Sequence, residues 1–184
     1  MDRRVPIALL LAFIAKTAGP QEPPEELRFA PIQMNTASDY PALPEPVRKR
    51  LGTENCQIPQ PWPHLEPANV VSGHFIARSR VDFAALCSRR GVSTVYVVNG
   101  TDGTVIAKLY PVEDIQYFQG QGGPMEFSRR LERLTPPESG FCLGPDDSCP
   151  CLGTVLDAVL DEYEGKASET HCFRGTWHTV TSGD

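Results

Sequence analysis

Beyond its first fifteen residues the chain has no apolar run approaching the ~20 residues that a membrane-spanning helix needs, which excludes a bundle of such helices. It has no surplus of positive charge either: 17 Lys and Arg stand against 23 Asp and Glu, a net charge of −6. No basic stripe is interleaved with aromatics, so phosphate backbones and anionic membranes are disfavoured and no nucleic acid is expected as a partner. The glycines around Gly120 to Gly123 are not followed by the Lys-Ser/Thr pair of a phosphate loop. No histidine stands two or four residues from another, so no metal-binding pair is evident and no metal or cofactor is expected. Ser72, His74 and Asp82 supply the residue types of a hydrolytic triad without a nucleophile elbow, and no catalytic residue is assigned.

What the chain does have is ordinary globular content, 40% hydrophobic and 22% charged residues in 184, with 18 prolines and 15 glycines that favour turns over a helical bundle. Residues 1–19 read as a signal peptide: Arg3 and Arg4, the apolar run Val5–Ala15, then small residues Thr17, Ala18 and Gly19, with cleavage after Ala18 or Gly19. Its removal takes away Asp2 and three bases (Arg3, Arg4, Lys16), so the mature chain is still more acidic. A secreted or periplasmic protein with no membrane insertion after cleavage is the expectation. Residues 20–44 open with Pro20–Glu26 and read as a proline-rich linker, and residues 45–184 as a single disulfide-stabilised β domain.

Within that domain Glu45–Leu51 is expected to form one short helix, with Pro46 in its first turn and Val47 and Leu51 on the docked face. Prolines on both sides hold Trp62 in an extended segment, where packing over the sheet is expected and a binding platform is the alternative. Val70–Ile76, Val81–Ser88, Val92–Val98 and Thr104–Leu109 are four apolar runs with the spacing of an antiparallel meander. The run Asp82–Ser88 is apolar on both faces and so belongs in a central, doubly covered position. Asn99-Gly100 with Asp102-Gly103 marks a chain reversal. Met125–Leu134 fits either a strand or a short helix, with Phe127, Leu131 and Leu134 at helical spacing. A second meander is expected over Asp157–Tyr163, Ala167–Arg174 and Thr176–Thr181, with Asp161, Glu162 and Glu164 as a solvated edge. Each meander alone leaves a face uncovered. The expected fold is mostly β, two antiparallel meanders packed as a small sandwich or as partial propeller-like blades, with one short N-terminal helix.

Cys56-Gln57-Ile58-Pro59-Gln60, Asn69 to Phe75 and Asp82 to Ser88, with Asp157-Ala158, Lys166-Ala167-Ser168, Gly175-Thr176-Trp177 and the closing Asp184, resemble an uncharacterised group of secreted bacterial proteins. More remotely, Gly73-x-Phe75 followed by Asp82-Phe83-Ala84 is similar to the FG-GAP repeat of integrin-type propellers. That likeness implies blade-like strand geometry and, in a full repeat, a calcium loop. The loop Ile76–Val81 has no carboxylate and carries Arg78 and Arg80, so calcium is not expected here.

Six cysteines, Cys56, Cys87, Cys142, Cys149, Cys151 and Cys172, read as disulfides in an oxidising compartment. Cys56 is expected to pair with Cys87, and Cys172 with Cys142, Cys149 or Cys151. The rival readings of Cys149-Pro150-Cys151 are a redox pair or half of a metal site completed by His171 and Cys172. The functional expectation is a non-catalytic binding or structural module whose partner is an envelope protein, a peptide or a glycan, engaged by Trp62, Tyr117 and Phe118. The alternative is a thiol oxidoreductase or metal-dependent hydrolase using the cysteine-rich loop.

Overall fold

The computed structural model describes residues 29–62, 66–120, 123–136, 150–151, 153–163 and 167–182. In chain order these form β1 (Met34–Asn35), helix α1 (Glu45–Thr53), β2 (Ile58–Pro59), β3 (Val70–Gly73), β4 (Asp82–Arg89), β5 (Val92–Asn99) and β6 (Val105–Glu113). They continue with β7 (Phe118–Gln119), β8 (Glu126–Phe127), β9 (Arg130–Leu134), β10 (Ala158–Glu162), β11 (Ser168–Phe173) and β12 (Trp177–Ser182). The strands make four antiparallel sheets: β3-β4-β5-β6, β12-β11-β10-β9, and the small pairs β1-β2 and β7-β8. The expected mostly-β architecture is therefore present, and none of the sheets closes into a barrel.

Period-two alternation explains the layering. Ala85 and Cys87 of β4, with Tyr96 and Val98 of β5, face a cluster formed by Ala37, Tyr40, Leu43, Val47, Leu51, Cys56 and Ile58. Ala84 and Leu86, with Val95 and Val97, face the opposite way into a second cluster shared with Leu131, Val159 and Trp177 of the other large sheet. The first sheet is thus covered on both sides, α1 on one and the second sheet on the other, as the doubly apolar β4 requires. Burying each of these Leu or Val side chains stabilises the fold by about 1.5–3 kcal/mol.

Turn chemistry fixes the register. Arg90 and Gly91 both have positive φ in the two-residue reversal between β4 and β5, the geometry a tight hairpin demands. At the next reversal Gly103 has φ +71°, and an added Cβ would stand 2.3 Å from the Pro46 carbonyl oxygen of α1. Arg50 Nε donates to the Gly103 carbonyl at 2.9 Å, so the helix docks on this turn.

Several expectations are corrected. Met125–Leu134 is extended, as β8 and β9, because its leucines face opposite cores: Leu131 joins the inter-sheet cluster, whereas Leu134 packs against Cys151, Ala158 and Cys172. It adds a fourth strand to the second meander. Residues 29–44, read as the end of a linker, contribute β1 and put Ala37, Tyr40 and Leu43 into the core, with Tyr40 donating to the Ala68 carbonyl. The signal segment and Pro20–Glu26 lie outside the described residues.

Two disulfides tie the layers: Cys56–Cys87, the expected pair, and Cys151–Cys172, which decides among the three partners left open for Cys172. Cys142 and Cys149 lie outside the described residues. Such bridges belong to an oxidising compartment. No helix among the described residues is long and apolar enough to cross a membrane.

Candidate functional site

Two features stand out from the apolar framework. One is an aromatic ledge. Trp62 is 56% exposed and its backbone N–H donates to the Phe127 carbonyl at 2.9 Å. Phe118 pairs with Phe127 in the β7-β8 ladder, and its ring meets Phe127 at 6.2 Å and Phe29 at 5.2 Å between centroids. Phe29, 47% exposed, is held in place by its bridge to Met125. The Phe118 ring thus stands between Phe127 and Phe29, and the Trp62 backbone is tied to the same short strand at Phe127. Trp62, expected to cover an edge or face of the meander, is thus more exposed than covered. Tyr117, expected at the surface with Phe118, is only 3% exposed. It stands in the 3-10 turn Asp114–Tyr117, which directs consecutive side chains apart, and its ring lies 4.4 Å beneath the Arg129 guanidinium.

The second feature is a closed polar cluster between the large sheets. Arg129, in the two-residue link between β8 and β9, is fully buried. It forks onto Asp161 of β10, Nε to Oδ1 at 2.9 Å and Nη2 to Oδ2 at 2.6 Å. Its other N–H groups donate to the Ser93 and Tyr110 carbonyls of the first sheet, at 3.2 and 3.3 Å. One side chain thus joins both sheets. Asn69, at φ +68°, supports the same seam: its side chain donates to the Arg129 and Pro59 carbonyls and accepts from Leu131 N–H.

Register brings the remaining members together. Asp161 lies directly across from Glu169, and Val159 across from His171, so all four side chains share the inner face of the second sheet. His171 is 0% exposed; its Nδ1 pairs with Thr179 Oγ1 at 2.9 Å and its Nε2 stands 3.8 Å from Asp161 Oδ2 without a hydrogen bond. The Tyr110 phenol lies beside the Glu169 carboxylate, whose Oε2 is buried with no partner. Tyr110 itself has φ +47°, rare for a bulky side chain, at an irregularity in the β5-β6 ladder that turns its carbonyl to Arg129.

The electrostatics follow from burial and pairing. Desolvation pushes the Asp161 carboxyl up, but the forked hydrogen bonds and the charge of Arg129 outweigh it and hold Asp161 below the usual carboxylate range. Glu169 goes the other way: desolvation raises it more than the Tyr110 hydrogen bond lowers it. The Tyr110 phenol is pushed up to about 12, first by its hydrogen bond to Glu169 and then by burial.

The expected solvated edge is thus corrected at Asp161, which faces the interior because it alternates in phase with Val159. Glu164 lies outside the described residues. Ser72, His74 and Asp82 do not assemble into a triad: the Asp82 carboxylate holds Arg80 Nε and Ile76 N–H, and His74 Nδ1 pairs with the Arg80 carbonyl. Cys151 and Cys172 are bonded to each other, which withdraws Cys151 from a pair with Cys149 and Cys172 from a metal site. Sequence reasoning passed over Arg129, Glu169 and Tyr110. Glu169 and His171 stand two apart in a strand and so share a face, a signal that was present; the approach of Asp161 and Arg129 depends on register. No family model, curated protein or solved structure matches this chain.

Proposed function

We propose that the protein is a secreted or periplasmic binding module without a catalytic centre, which grips a peptide segment of another envelope protein on the ledge of Phe29, Trp62 and Phe118. The observation that carries this reading is Trp62, more than half exposed, with Phe29 exposed nearby along the same short strand, while Asp161, Glu169 and His171 are buried. Aromatic anchors of this kind supply large contact area at low conformational cost. The neighbouring two-residue strand β1 offers a short backbone segment to which an extended peptide can add. A glycan stacked on Trp62 is the other ligand this surface accepts. The likeness to FG-GAP repeats enters as strand geometry only, without calcium.

The test is binding of the full chain to immobilised peptide and glycan libraries, wild type beside Trp62→Ala and Phe118→Ala. A ligand held by the wild type and weakened about tenfold or more by Trp62→Ala, at unchanged thermal midpoint, supports the reading. Ligands bound equally by wild type and both variants overturn it. The thiol oxidoreductase alternative is read from alkylation under denaturing, non-reducing conditions: two reactive thiols at Cys149 and Cys151, in place of the Cys151–Cys172 bridge, favour it, and full protection of Cys151 by Cys172 counts against it.

A further inference from the structure

The inner face of the second sheet carries more polar atoms than it satisfies. One carboxylate oxygen each from Asp161 and Glu169 and a His171 ring nitrogen lie within 4.8 Å of one another, all three residues buried. Two of the atoms facing this space, Glu169 Oε2 and His171 Nε2, have no hydrogen-bond partner. Leaving such atoms unpaired costs about 1–3 kcal/mol each, so a fold that gathers two of them beside a third acceptor is arranged for something that answers all three.

We propose that Asp161, Glu169 and His171 form a binding site for a divalent transition-metal cation, Zn2+ foremost, buried between the two sheets. The donor set is one imidazole and two carboxylates, which suits zinc. The surroundings supply what metal ligands require. Thr179 Oγ1 occupies His171 Nδ1, which fixes the ring and leaves Nε2 as the lone-pair donor toward the carboxylates. The Tyr110 phenol lies beside Glu169, and Arg129 orients Asp161 through its two-point fork. An Asp161 oxygen that accepts from Arg129 retains a lone pair for a cation.

Charge favours the same occupant. With His171 neutral, Asp161 and Glu169 set two carboxylates against the single guanidinium of Arg129, and Asp114, which accepts from Ser88 and Ser93, adds negative charge behind it. A buried surplus of negative charge is costly until neutralised. A proton on Glu169 removes the charge but leaves His171 Nε2 needing a separate donor. A divalent cation neutralises the site and coordinates both orphaned atoms at once. Its effect is structural: β10 and β11 become fastened to each other and, through Tyr110, to β6.

The full chain, with disulfides intact, is refolded in chelator and titrated with ZnCl2, with Ca2+ and Mg2+ as comparison ions, while bound metal and thermal midpoint are measured. One Zn2+ per chain is expected, with a rise in midpoint of about 5–10 °C at a hundredfold excess over Kd. Glu169→Gln, which keeps the shape of the side chain, and His171→Gln should each weaken binding about tenfold or more. His74→Ala and His178→Ala, which alter histidines outside the cluster, should not. Should His171→Gln fail to fold, Glu169→Gln decides alone. Co2+ loading provides a second readout: a spectrum without thiolate charge-transfer bands is expected, whereas such bands would move the metal to the cysteine-rich loop and overturn the assignment. Stoichiometric binding that survives Glu169→Gln overturns it as well. So does the absence of any Zn2+ binding, which would leave a proton as the neutralising partner.

Discussion

The two large sheets face each other across one interior, yet different physics holds each of them. The sheet β3-β4-β5-β6 is dry at its centre, with buried Ser88 and Ser93 near one end answered by Asp114: Ala84, Leu86, Val95 and Val97 meet the interior, and Ala85, Cys87, Tyr96 and Val98 meet the helical layer. The sheet β12-β11-β10-β9 brings Asp161, Glu169 and His171 to the same interior and relies on Arg129 to reconcile them with it. Apolar burial is non-directional and tolerates repacking. A buried ion pair is directional, and its removal leaves an uncompensated charge. The first sheet should therefore respond gradually to substitution and the second abruptly.

The sharpest way to break this contrast is Arg129→Ala, which strands Asp161 inside the protein. A loss of about 3–5 kcal/mol is expected, read as a lower urea midpoint at unchanged slope. Leu86→Ala in the dry sheet should cost about 2–5 kcal/mol by leaving a cavity. What separates the two is rescue: Arg129→Met combined with Asp161→Leu should recover most of the loss, since an apolar pair needs no partner. A double variant as unstable as Arg129→Ala would show that the guanidinium acts chiefly through the Ser93 and Tyr110 carbonyls. Acid sharpens the same point. The folded protein holds Asp161 below its ordinary value, so its contribution is complete above the usual carboxylate range and is lost as pH falls through the depressed value. Asp161→Asn should flatten that acid limb.

The disulfides offer the next comparison. Cys56–Cys87 spans 31 residues and joins the helical layer to the dry sheet, and Cys151–Cys172 spans 21 and covers the outer face of the polar sheet. Each should contribute about 2–4 kcal/mol by restricting the unfolded chain. Paired Cys→Ser variants test this. Because the loop-entropy term changes slowly with length, the two losses should be similar, and a difference above about 2 kcal/mol would mean that native-state strain or residual structure dominates one of them. A smaller local effect, about 1–3 kcal/mol, is expected of Gly103→Ala, where positive φ and the close Pro46 carbonyl both oppose a side chain.

The dry sheet was far more legible in the sequence than the polar one, for a physical reason. The near-continuous apolar runs Phe83 to Cys87 and Val95 to Val98 identify β4 and β5, and Asn99-Gly100 with Asp102-Gly103 locates the reversal toward β6, all from neighbours within a few residues. Asp161 looks like surface in any local window, and only the register β9-β10-β11 and the arrival of Arg129 across the interior make it core. Tyr117 misleads similarly, because nothing in Asp114 to Phe118 announces that the 3-10 turn seals Tyr117 inside the inter-sheet cluster while Phe118 stays half-buried at its margin. Met125–Leu134 was undecided because Leu131 and Leu134, three apart, satisfy one helix face or two strand faces equally well.

The smallest predicted effect lies where the polar cluster reaches solvent. Tyr110 is partly exposed, and its phenol is raised from 10.0 to about 12 by Glu169 and burial. A tyrosine raised in the folded state favours the neutral form there. Its contribution is therefore complete below pH 10 and is lost as pH climbs toward about 12. Ultraviolet titration of tyrosinate, wild type against Tyr110→Phe, should show a late-ionising phenol missing from the variant, and thermal midpoints should converge across that window. Were the Tyr110 phenol instead to ionise near pH 10, its hydrogen bond to Glu169 would be too weak to orient that carboxylate. The polar sheet would then owe its order to Arg129 and Thr179 alone.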